Sequence, residues 1–401
     1  MVRKRCQAAG DFRLVFWQRT PSPHQAPLFA ALAERLGASN VVGVFQDRIG
    51  ADRISLGWSD PDYGPVSLVM KPKAGEREAI ILADKRRSVH IFSHLPDDAE
   101  LLAVYRWCIK EGVATGLLTE GRDWRGWRGV IRRLRSAAQE STLRAELDFV
   151  LAIGSVGVQW YTKIGYPPSK IYPFCYVVKS KNLPMATDTA GDTVQIIYVG
   201  QLIRRKRLDL LISALGKVTR KNWRLTIVGA GDQRLFIEGL VRECCLQDRV
   251  AFVGVLPNDE VYRHLSDSDL LVLPSDWDGW GAVVNEALHA GVPVVCSDYC
   301  GASDLIMNPQ VGKTFKAGDV DQLTYCLESR IAAGRLSFEQ RQDLLRWAVC
   351  LEGGAVADYL LGVLEHALRG GRSAPSVPWK SAGKGPSAIP ELISNLLRVR
   401  R

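Results

Sequence analysis

One segment, residues 271–295, constrains the fold of this chain more than any other. It reads as an apolar strand that ends at Pro274, a polar and glycine-rich loop over 275–281, and a helix over 283–290. A second apolar strand over 292–296 follows at once. A strand, a glycine loop and a helix N-terminus together form a seat for a phosphate-bearing ligand. The segment therefore predicts a parallel α/β sheet with a ligand site at the carboxyl ends of its strands.

Two acidic side chains of this segment stand eight positions apart, Asp278 in the loop and Glu286 in the helix. Acidic residues bind the sugar hydroxyls of nucleotides in sites of this kind. Glu286 is therefore predicted to reach the hydroxyls of a bound nucleotide.

A second loop with the chemistry of a phosphate site follows the strand predicted over 194–199. It holds Gly200 and then four consecutive cations at 204–207. Glycine lets a ligand approach the backbone, and cations pair with phosphate oxygens. The alternative is a solvated charge run before a helix, and the place at a strand-to-helix turn favours the phosphate site. The next strand ends at Gly229, but Arg234 stands where a dinucleotide-binding fingerprint needs its third glycine.

Length and composition set the outer limits. A chain of 401 residues with 47% hydrophobic and 24% charged residues predicts two globular domains. No apolar run reaches the length of about 18 residues that spans a membrane, and no signal-peptide core follows the basic start, so we expect a cytoplasmic protein. The net charge of +9 favours an acidic partner, namely nucleic acid, an anionic membrane surface or a phosphorylated substrate. Plain solubility is the alternative explanation of that charge.

The first half of the chain predicts another parallel sheet with polar side chains after three of its strands. His24 lies in the loop after the strand over 12–17, and His94 and Glu120 follow the strands over 88–92 and 113–118. Open α/β sheets bind ligands at the carboxyl ends of their strands. Each side chain is therefore a candidate catalytic or acceptor-binding group, and the alternative for each is a polar residue that caps a strand or structures a loop.

Residues 121–139 form the most basic stretch, with six arginines against one aspartate. On a helix, Trp124 and Trp127 share one stripe with Ile131 and Leu134, and most arginines lie opposite. A basic amphipathic helix with interfacial tryptophans is typical of proteins that bind anionic lipid surfaces. The alternative is a surface helix whose tryptophans dock on the domain core. The membrane-binding residues predicted in this way are Trp124, Trp127, Arg128, Arg132 and Arg135.

The second half of the chain resembles the group 1, or family 4, retaining glycosyltransferases. The resemblance covers about 125 residues in the family's order, and the first half is similar more loosely. The matching pieces of the second half are 198–206, 225–231, 253–254, 269–275, 278–281, 286–287, 291–295, Gly312 and 318–319, and those of the first half are 22–24, 150–154 and 170–173.

The resemblance implies the GT-B fold, in which two Rossmann-like domains with parallel sheets face a central cleft. Residues 1–180 are then the acceptor-binding domain, and residues 181–345 the domain that binds the nucleotide-sugar. A helix over 346–369 is expected to cross back to the first domain. Residues 370–401 are expected to form a flexible tail with a short terminal helix.

The family's site residues carry over one by one. Lys206 is expected to bind the diphosphate and Glu286 the ribose. Gly200, Gln201 and Arg205 are further expected donor-binding residues. Gln201 departs from the family, in which many members carry arginine beside the glycine, and Arg204 or Arg205 is the alternative source of that charge. Gly229 and the backbone of Gly279, Trp280 and Gly281 approach the donor. Asp278 takes the first acidic position of the family's Glu-x7-Glu motif, where a glutamate is usual, and His94 corresponds to the family's catalytic-loop histidine. The three residues expected to act in catalysis are His94, Asp278 and Glu286, and His24 and Glu120 are expected to bind the acceptor.

The expected reaction moves a hexosyl or deoxyhexosyl group from a nucleotide-diphosphate sugar, which is the donor substrate, with retention and without cofactor or metal. Cations, backbone N–H groups and a helix N-terminus stabilise the departing phosphate. The acceptor is a glycan or lipid-linked molecule at an anionic membrane surface. One alternative is a soluble glycosyltransferase with a small-molecule acceptor. Another is a non-catalytic nucleic-acid-binding protein, for which the chain lacks a recognised binding motif.

Overall fold

The computed structural model describes residues 12–54, 60–93, 95, 97–181, 191–370 and 373–381. The first sheet has seven parallel strands in the order β3-β2-β1-β4-β5-β6-β7. These strands are β1 Arg13–Gln18, β2 Val41–Phe45, β3 Ser67–Met70, β4 Ser88–Phe92, β5 Ala114–Glu120, β6 Phe149–Ile153 and β7 Ile171–Phe174.

The second sheet has six parallel strands in the order β10-β9-β8-β11-β12-β13. Both sheets therefore share the order of a doubly wound fold, which reverses next to the first strand of each domain and opens a ligand crevice there. The strands are β8 Val194–Val199, β9 Trp223–Val228, β10 Val250–Gly254, β11 Leu270–Leu273, β12 Val294–Ser297 and β13 Gly312–Phe315.

Helices connect the strands and cover both faces of each sheet. Their ends follow local sequence signals, such as the Asp98 side chain that caps α4 and the Asp319 side chain that caps α12. The helices are α1 Ala26–Leu36, α2 Ala51–Ile54, α3 Ala74–Leu82, α4 Ala99–Lys110, α5 Gly126–Gln139, α6 Ser141–Glu146, α7 Gly154–Lys163, α8 Leu208–Lys217, α9 Arg234–Glu243, α10 Asn258–Ser266, α11 Val283–His289, α12 Val320–Ala332, α13 Phe338–Ala348, α14 Gly353–Arg369 and α15 Pro378–Ser381.

Helix α14 returns from the second domain and packs on α1 of the first. Arg35 pairs with Asp358 at 2.9 Å, and the Tyr359 hydroxyl donates to the Pro173 carbonyl at 2.9 Å. A continuous apolar cluster runs from β1 and α1 through α14 to α11. The two domains therefore share a core on their facing sides.

The tail expected to be flexible is partly packed, which corrects that prediction. Trp379 of α15 is fully buried and lies 6.5 Å from the Tyr359 ring. An indole of this size fixes the segment 373–381 on α14 because burying it removes a large apolar area from water. The predicted terminal helix over 390–401 lies outside the described residues.

One helical run within the described residues, Phe338–Arg369, is long and apolar enough to cross a membrane by length and composition alone. The expectation that no run passes this test is therefore wrong. The run comprises α13, a short 3-10 turn and α14, and it buries Val356, Leu360 and Leu364 in the shared core. Core helices pass the same test, and this one has the packing of a core helix.

Candidate functional site

The loop after β8, residues 200–207 (the basic loop), packs on the end of β9 so closely that only glycine fits at the points of contact. A Cβ on Gly229, whose φ is +132°, would overlap the Gly200 carbonyl, and one on Gly231 would overlap the Leu202 carbonyl. The Gly200 amide donates to the Val228 carbonyl at 3.0 Å. This packing orders the basic loop at the crevice of the second sheet.

The loop after β11, residues 275–281 (the glycine loop), meets the basic loop through an ion pair. The Lys206 ammonium pairs with Asp278 Oδ2, and both side chains are largely buried. Arg205 lies 3.8 Å from Asp278 Oδ1 and also donates to the Trp277 carbonyl. The Ser275 hydroxyl donates to Asp278 Oδ2 at 3.5 Å. Two cations and one acid thus lie together where the sequence predicted a phosphate site, and such cations bind anionic oxygens.

The side chain of Trp280 points into the core, which leaves only its backbone for the donor contact expected of residues 279–281. Trp280 is 1% exposed, and its indole N–H donates to Asn285 Oδ1 at 2.7 Å. The Cys300 thiol donates to the Trp280 carbonyl at 2.9 Å. Gly281 has a φ of +91°, and a side chain there would overlap the Cys300 sulfur. The contribution of residues 279–281 to a site is therefore made by backbone atoms, and glycine at 279 and 281 permits it.

Glu286 lies in the first turn of α11 with only 9% of its surface exposed. Burial raises the pKa of its carboxyl to about 7, opposed by a hydrogen bond from Asn258 and by the Lys181 charge. The Asn258 amide donates to Glu286 Oε1 at 3.5 Å, which is long. A ligand with hydroxyl groups would supply the hydrogen bonds that a buried carboxyl requires.

Glu120 brings the first domain to this site. It ends β5 and lies against the glycine loop so closely that a Cβ on Gly279 would overlap its carboxylate. The pKa of Glu120 is raised, chiefly by burial and also by the charge of Asp278. A hydrogen bond from the Tyr176 hydroxyl and the charges of Arg205 and Lys206 oppose this rise. The structure thus places Glu120 beside the Lys206–Asp278 pair.

His24 lies one layer behind Glu120. Its ring stacks on Tyr176 at 6.0 Å, and its carbonyl accepts from the Val177 amide at 2.9 Å. Burial, followed by the Arg53 charge, lowers the pKa of His24 to about 4, so its ring is neutral at physiological pH. His94 lies outside the described residues.

Tyr176 was missed in the sequence because it belongs to no motif. Its hydroxyl hydrogen-bonds to Glu120, its ring stacks on His24, and its carbonyl accepts from Asn285 at 3.1 Å. It also lies edge-on to Trp280 at 6.4 Å. Tyr176 therefore connects the candidate residues of the first domain to the glycine loop of the second.

Backbone atoms alone form another contact between the domains. A Cβ on Gly154, at the start of α7, would lie 2.6 Å from the Gly301 carbonyl. A Cβ on Gly301 would overlap the Gly279 carbonyl. In this glycine contact (Gly154, Gly301 and Gly279), α7 of the first domain packs on Gly301, which in turn packs on the glycine loop.

The basic stretch divides into two parts, and Trp124 does not belong to an exposed stripe. Trp124 packs edge-on against Trp277 of the glycine loop at 5.3 Å, which corrects its assignment to a membrane surface. Helix α5 begins only at Gly126. Of the predicted arginines, Arg128 and Arg135 are exposed, and Arg132 is half-buried and donates to the Asp123 carbonyl.

Helix α5 exposes an apolar face to solvent. Trp127 and Leu134 are both 68% exposed, and Val130 and Ile131 lie between them. Their spacing places all four on one side of the helix. This α5 face is a surface patch with arginines beside it.

Asp267 with Asp269, and Asp276 with Asp278, have the Asp-x-Asp spacing of a metal-binding pair, but three of these carboxylates pair with cations of the protein. Asp269 lies at the start of β11, where it pairs with Arg341 at 3.1 Å and Arg335 at 3.2 Å. Asp276 pairs with Arg125, and Asp278 with Lys206. Among the described residues no group of three or more His, Cys, Asp or Glu side chains is arranged to hold a metal ion.

A polar cavity of about 530 Å³ opens at the carboxyl edge of the first sheet. It lies beyond β1, β2, β3 and β4 and carries side chains of both charges. It is lined by Arg19, Gln46, Asp47, Lys71, Arg77, Asp97, Asp98, Ala99 and Glu100.

Comparisons with known proteins identify the second domain. Residues 181–343 match the sequence profile of the glycosyl transferases group 1 family. The chain is 34% identical over 126 residues to an uncharacterized glycosyltransferase of Methanocaldococcus jannaschii, covering 31% of this chain and 32% of that protein. It is 27% identical over 188 residues to the GDP-mannose-dependent alpha-(1-6)-phosphatidylinositol monomannoside mannosyltransferase of Mycobacterium tuberculosis, covering 43% and 48%. The chain thus spans between a third and a half of the length of these relatives.

Solved structures match nearly the whole chain. The apo form of the lipopolysaccharide outer core galactosyltransferase WaaB matches with a TM-score of 0.62 at 15% identity, covering 88% of this chain and 98% of that one. The Anabaena protein HepE, solved in complex with UDP, matches with a TM-score of 0.62 at 13% identity, covering 97% and 100%. At these identities the likeness shows the fold. Residues 181–343 are thus similar to the group 1 glycosyl transferases, and the two parallel sheets of the chain have the GT-B fold.

Proposed function

We propose that this protein transfers a sugar, with retention of configuration, from a nucleotide-diphosphate sugar to a glycan or lipid-linked acceptor in cell-surface polysaccharide or glycolipid biosynthesis. One observation carries the proposal: Lys206, Arg205 and Asp278 of the second domain meet Glu120 of the first at the domain interface. Breaking the bond between sugar and diphosphate develops negative charge on the phosphate and positive charge on the sugar. Fixed cations on one side and carboxylates on the other stabilise both charges.

Each residue of the second domain has a chemical part in this scheme. Lys206 and Arg205 bind the diphosphate in exchange for Asp278, whose carboxylate is then free to face the sugar. Glu286 accepts hydrogen bonds from the ribose hydroxyls. The backbone of Gly279 and Gly281 borders the sugar. The protein cations supply the charge for the leaving group, so the reaction needs no metal, and the departing phosphate takes the acceptor proton.

The activities named for similar proteins support this donor and acceptor class. The mycobacterial relative uses GDP-mannose and acts on a phosphatidylinositol mannoside, and the HepE structure holds UDP. WaaB acts on the lipopolysaccharide outer core. These acceptors are glycolipids or lipid-linked glycans, so we place the acceptor in the polar cavity of the first sheet.

We further propose that the protein works on the cytoplasmic face of a membrane, as a peripheral protein held by the α5 face. Exposed tryptophan and leucine side chains insert between lipids, and Arg128 and Arg135 pair with anionic headgroups. A soluble enzyme with a small-molecule acceptor is the second candidate. It is favoured by the docking of Trp124 inside the protein, against Trp277.

A nucleotide-sugar screen tests the proposed reaction. The wild type, Lys206→Ala and Glu286→Ala are mixed with UDP-, GDP-, ADP- and dTDP-sugars, and melting temperature and transfer are measured. The correct donor raises the wild-type melting temperature because it binds only the folded state. Both variants should remain folded and lose most transfer. Near-normal turnover in both would refute the site.

Liposome flotation separates the two candidates. Vesicles with and without phosphatidylglycerol are mixed with the wild type, Trp127→Asp/Leu134→Asp, and Leu235→Asp as the control. Leu235 is 80% exposed on α9 of the second domain. We expect the wild type and the control to float with anionic vesicles and the α5 variant to remain behind. A wild type that stays in solution would contradict the membrane proposal and favour the small-molecule acceptor.

A further inference from the structure

A single arginine joins the first domain to the glycine loop of the second. Arg125 is the residue directly before α5, and it faces Asp276 across the domain interface. Its Nη1 and Nη2 atoms lie 3.3 Å from the two carboxylate oxygens of Asp276. Nη2 also donates to the Asp276 carbonyl at 2.8 Å. Arg125 therefore holds both the side chain and the backbone of a residue two positions before Asp278.

The first domain fixes the direction of this guanidinium. Asp123 accepts from Arg125 Nε at 3.0 Å and from Nη2 at 3.0 Å, and its carboxylate also accepts from the Arg125 amide at 3.0 Å. The hydrogen bonds that Arg125 donates to Asp123 raise the pKa of Arg125, as do the charges of Asp123 and Asp276, although burial opposes them. The guanidinium is thus presented to the second domain in one orientation.

Aromatic rings enclose the same contact. The guanidinium carbon of Arg125 lies 4.1 Å from the centre of the Tyr299 ring and 5.9 Å from that of Trp277. Trp124 packs edge-on against Trp277 at 5.3 Å and lies 6.0 Å from Tyr299. The Tyr299 carbonyl accepts from the Asp278 amide at 3.0 Å. The first domain therefore contacts the two residues that precede Asp278, and also Tyr299, whose carbonyl binds the Asp278 amide.

The contact extends to the basic loop. The Asp276 amide donates to the Arg205 carbonyl at 2.8 Å, so the residue that Arg125 binds is tied directly to a proposed diphosphate cation. Arg125 and Asp276 are 26% and 46% exposed in their side chains. Ion pairs that are this exposed contribute little to folding stability. A structural role alone therefore does not explain why Arg125 bonds to both Asp123 and Asp276.

We propose that Arg125 is a positioning residue for sugar transfer: it holds the glycine loop through Asp276, and thereby sets Asp278 and Gly279 opposite Glu120. The proposal rests on the proposed function of that site. Arginine is required because its planar group makes paired hydrogen bonds to two carboxylates while its face stacks on a ring, whereas a lysine ammonium is a point charge without that planar fork. Lysine at 125 keeps the charge and loses the geometry.

The expected consequence is a loss of turnover without a loss of nucleotide binding. The proposed ribose and phosphate groups Glu286 and Lys206 have no hydrogen bond or ion pair with Arg125 in the structure, and Arg205 is linked to it only through the backbone bond to the Asp276 amide, which substitutions of Arg125 leave in place. A displacement of about 1 Å at a reacting centre costs up to about 100-fold in rate. Arg125→Ala and Arg125→Lys should therefore lower kcat by about 10- to 100-fold, with the dissociation constants of UDP or GDP changed by less than about threefold.

Two readouts test the positioning role. The first is kcat and nucleotide affinity for Arg125→Ala, Arg125→Lys, Asp276→Ala and the Arg125→Ala/Asp276→Ala pair, with Arg106→Ala, an exposed arginine of α4, as the control. The second is the radius of gyration of each ligand-free protein by small-angle X-ray scattering, which reads the closure of the domains. We expect the double variant to lose no more than the worse single variant, because both remove one interaction. The Arg125 variants should be more extended than the wild type, and the control unchanged.

The outcomes separate this proposal from the proposed function. Normal kcat in Arg125→Lys, or additive losses in the pair, would overturn the positioning role. If the wild type transfers no sugar, the proposed function fails, and scattering alone then decides: unchanged dimensions in both Arg125 variants overturn the contact as a closing element, and extended dimensions support it. A fall in melting temperature together with equal losses of nucleotide binding and turnover would show a structural residue instead.

Discussion

The two sheets of this protein share a strand order, yet their carboxyl edges are built in different ways. In the second domain the loops pack backbone against backbone, through Gly229, Gly231 and Gly279, and present cations. In the first domain the loops stand apart around a cavity of about 530 Å³ lined by side chains of both charges. Backbone and cations suit a ligand part that never changes, such as a diphosphate, whereas side chains suit a variable one. The same sheet therefore supports both tasks because loops, and not strands, carry specificity.

The largest effect is expected at the carboxyl edge of the second sheet, where Lys206 lies. Lys206→Ala should lower kcat/KM for the donor about 10²- to 10³-fold, the cost of removing one preorganised donor to a developing anion. Lys206→Arg should lose less because it keeps the charge. Lys217→Ala, on the surface of α8, is the matched control and should be unchanged. A loss under about threefold in Lys206→Ala would break the comparison.

Glu286 should give the next largest effect, on stability. Its pKa of about 7 in the folded protein lies above the ordinary 4.5, so the folded state binds the extra proton and stability falls as pH rises from 4.5 to 7. A shift of this size is worth about 3 kcal/mol. At pH 8, Glu286→Gln should therefore be more stable than the wild type by about 3 kcal/mol, and the gain should vanish below pH 4.5.

Denaturant unfolding at several pH values measures this difference. Glu260→Gln, an exposed acid of α10, serves as the control and should track the wild type. Transfer by Glu286→Gln should nevertheless fall, because an amide accepts fewer hydrogen bonds from a ribose than a carboxylate does. A pH-independent difference in stability would show that the carboxyl is not the titrating group.

A smaller effect is expected where the two edges touch. Gly279→Ala should push the Glu120 carboxylate out of place and lower kcat about tenfold. Glu120→Ala should cost a similar amount, and the double variant little more, because both changes remove one arrangement. Gly75→Ala, in α3 with open space around it, is the control. Additive losses would mean that Glu120 and the glycine loop act separately.

The smallest effect is expected at the carboxyl edge of the first sheet, around the polar cavity. Lys71 pairs with Asp47 at 3.1 Å, and both side chains are more than half exposed. Lys71→Ala should therefore change the free energy of unfolding by less than about 1 kcal/mol and leave donor affinity unaltered. The KM for the acceptor found in the transfer screen should rise about threefold, against no change for Lys85→Ala. An unchanged acceptor KM would remove this part of the cavity from the acceptor site.

The sequence predicted the central strands of both sheets and missed three strands at their edges. Strands β3, β7 and β13 have four residues each and pair on one side only. Their hydrophobic signal is short, and β7 contains Pro173, which only an edge strand tolerates. The segment 165–173, which contains most of this strand, holds one glycine and three prolines, a composition typical of turns. The central strands were visible because burial on both faces produces continuous apolar runs.

The site was predictable in its parts and not in its arrangement. Lys206 and Glu286 follow from motifs with fixed local spacing. The contacts of Glu120 with Gly279 and of Arg125 with Asp276 join residues more than 150 positions apart, and no local pattern encodes how two domains close. Trp124 and Trp127 share a helical stripe in the sequence, but the helix begins after Trp124. The Trp124 indole therefore packs on Trp277, whereas the Trp127 indole is exposed to solvent.

The glycine contact among Gly154, Gly301 and Gly279 has a mechanical consequence. Because no side chain lies between the two domains there, one domain can turn on the other without any rotamer change at the point of contact. Separation of the domains would then break the contacts beside the cleft, namely the Arg125–Asp276 ion pair and the packing of Trp124 on Trp277. A methyl group at Gly154 would lie 2.6 Å from the Gly301 carbonyl, so Gly154→Ala should act as a wedge between the domains and hold them apart.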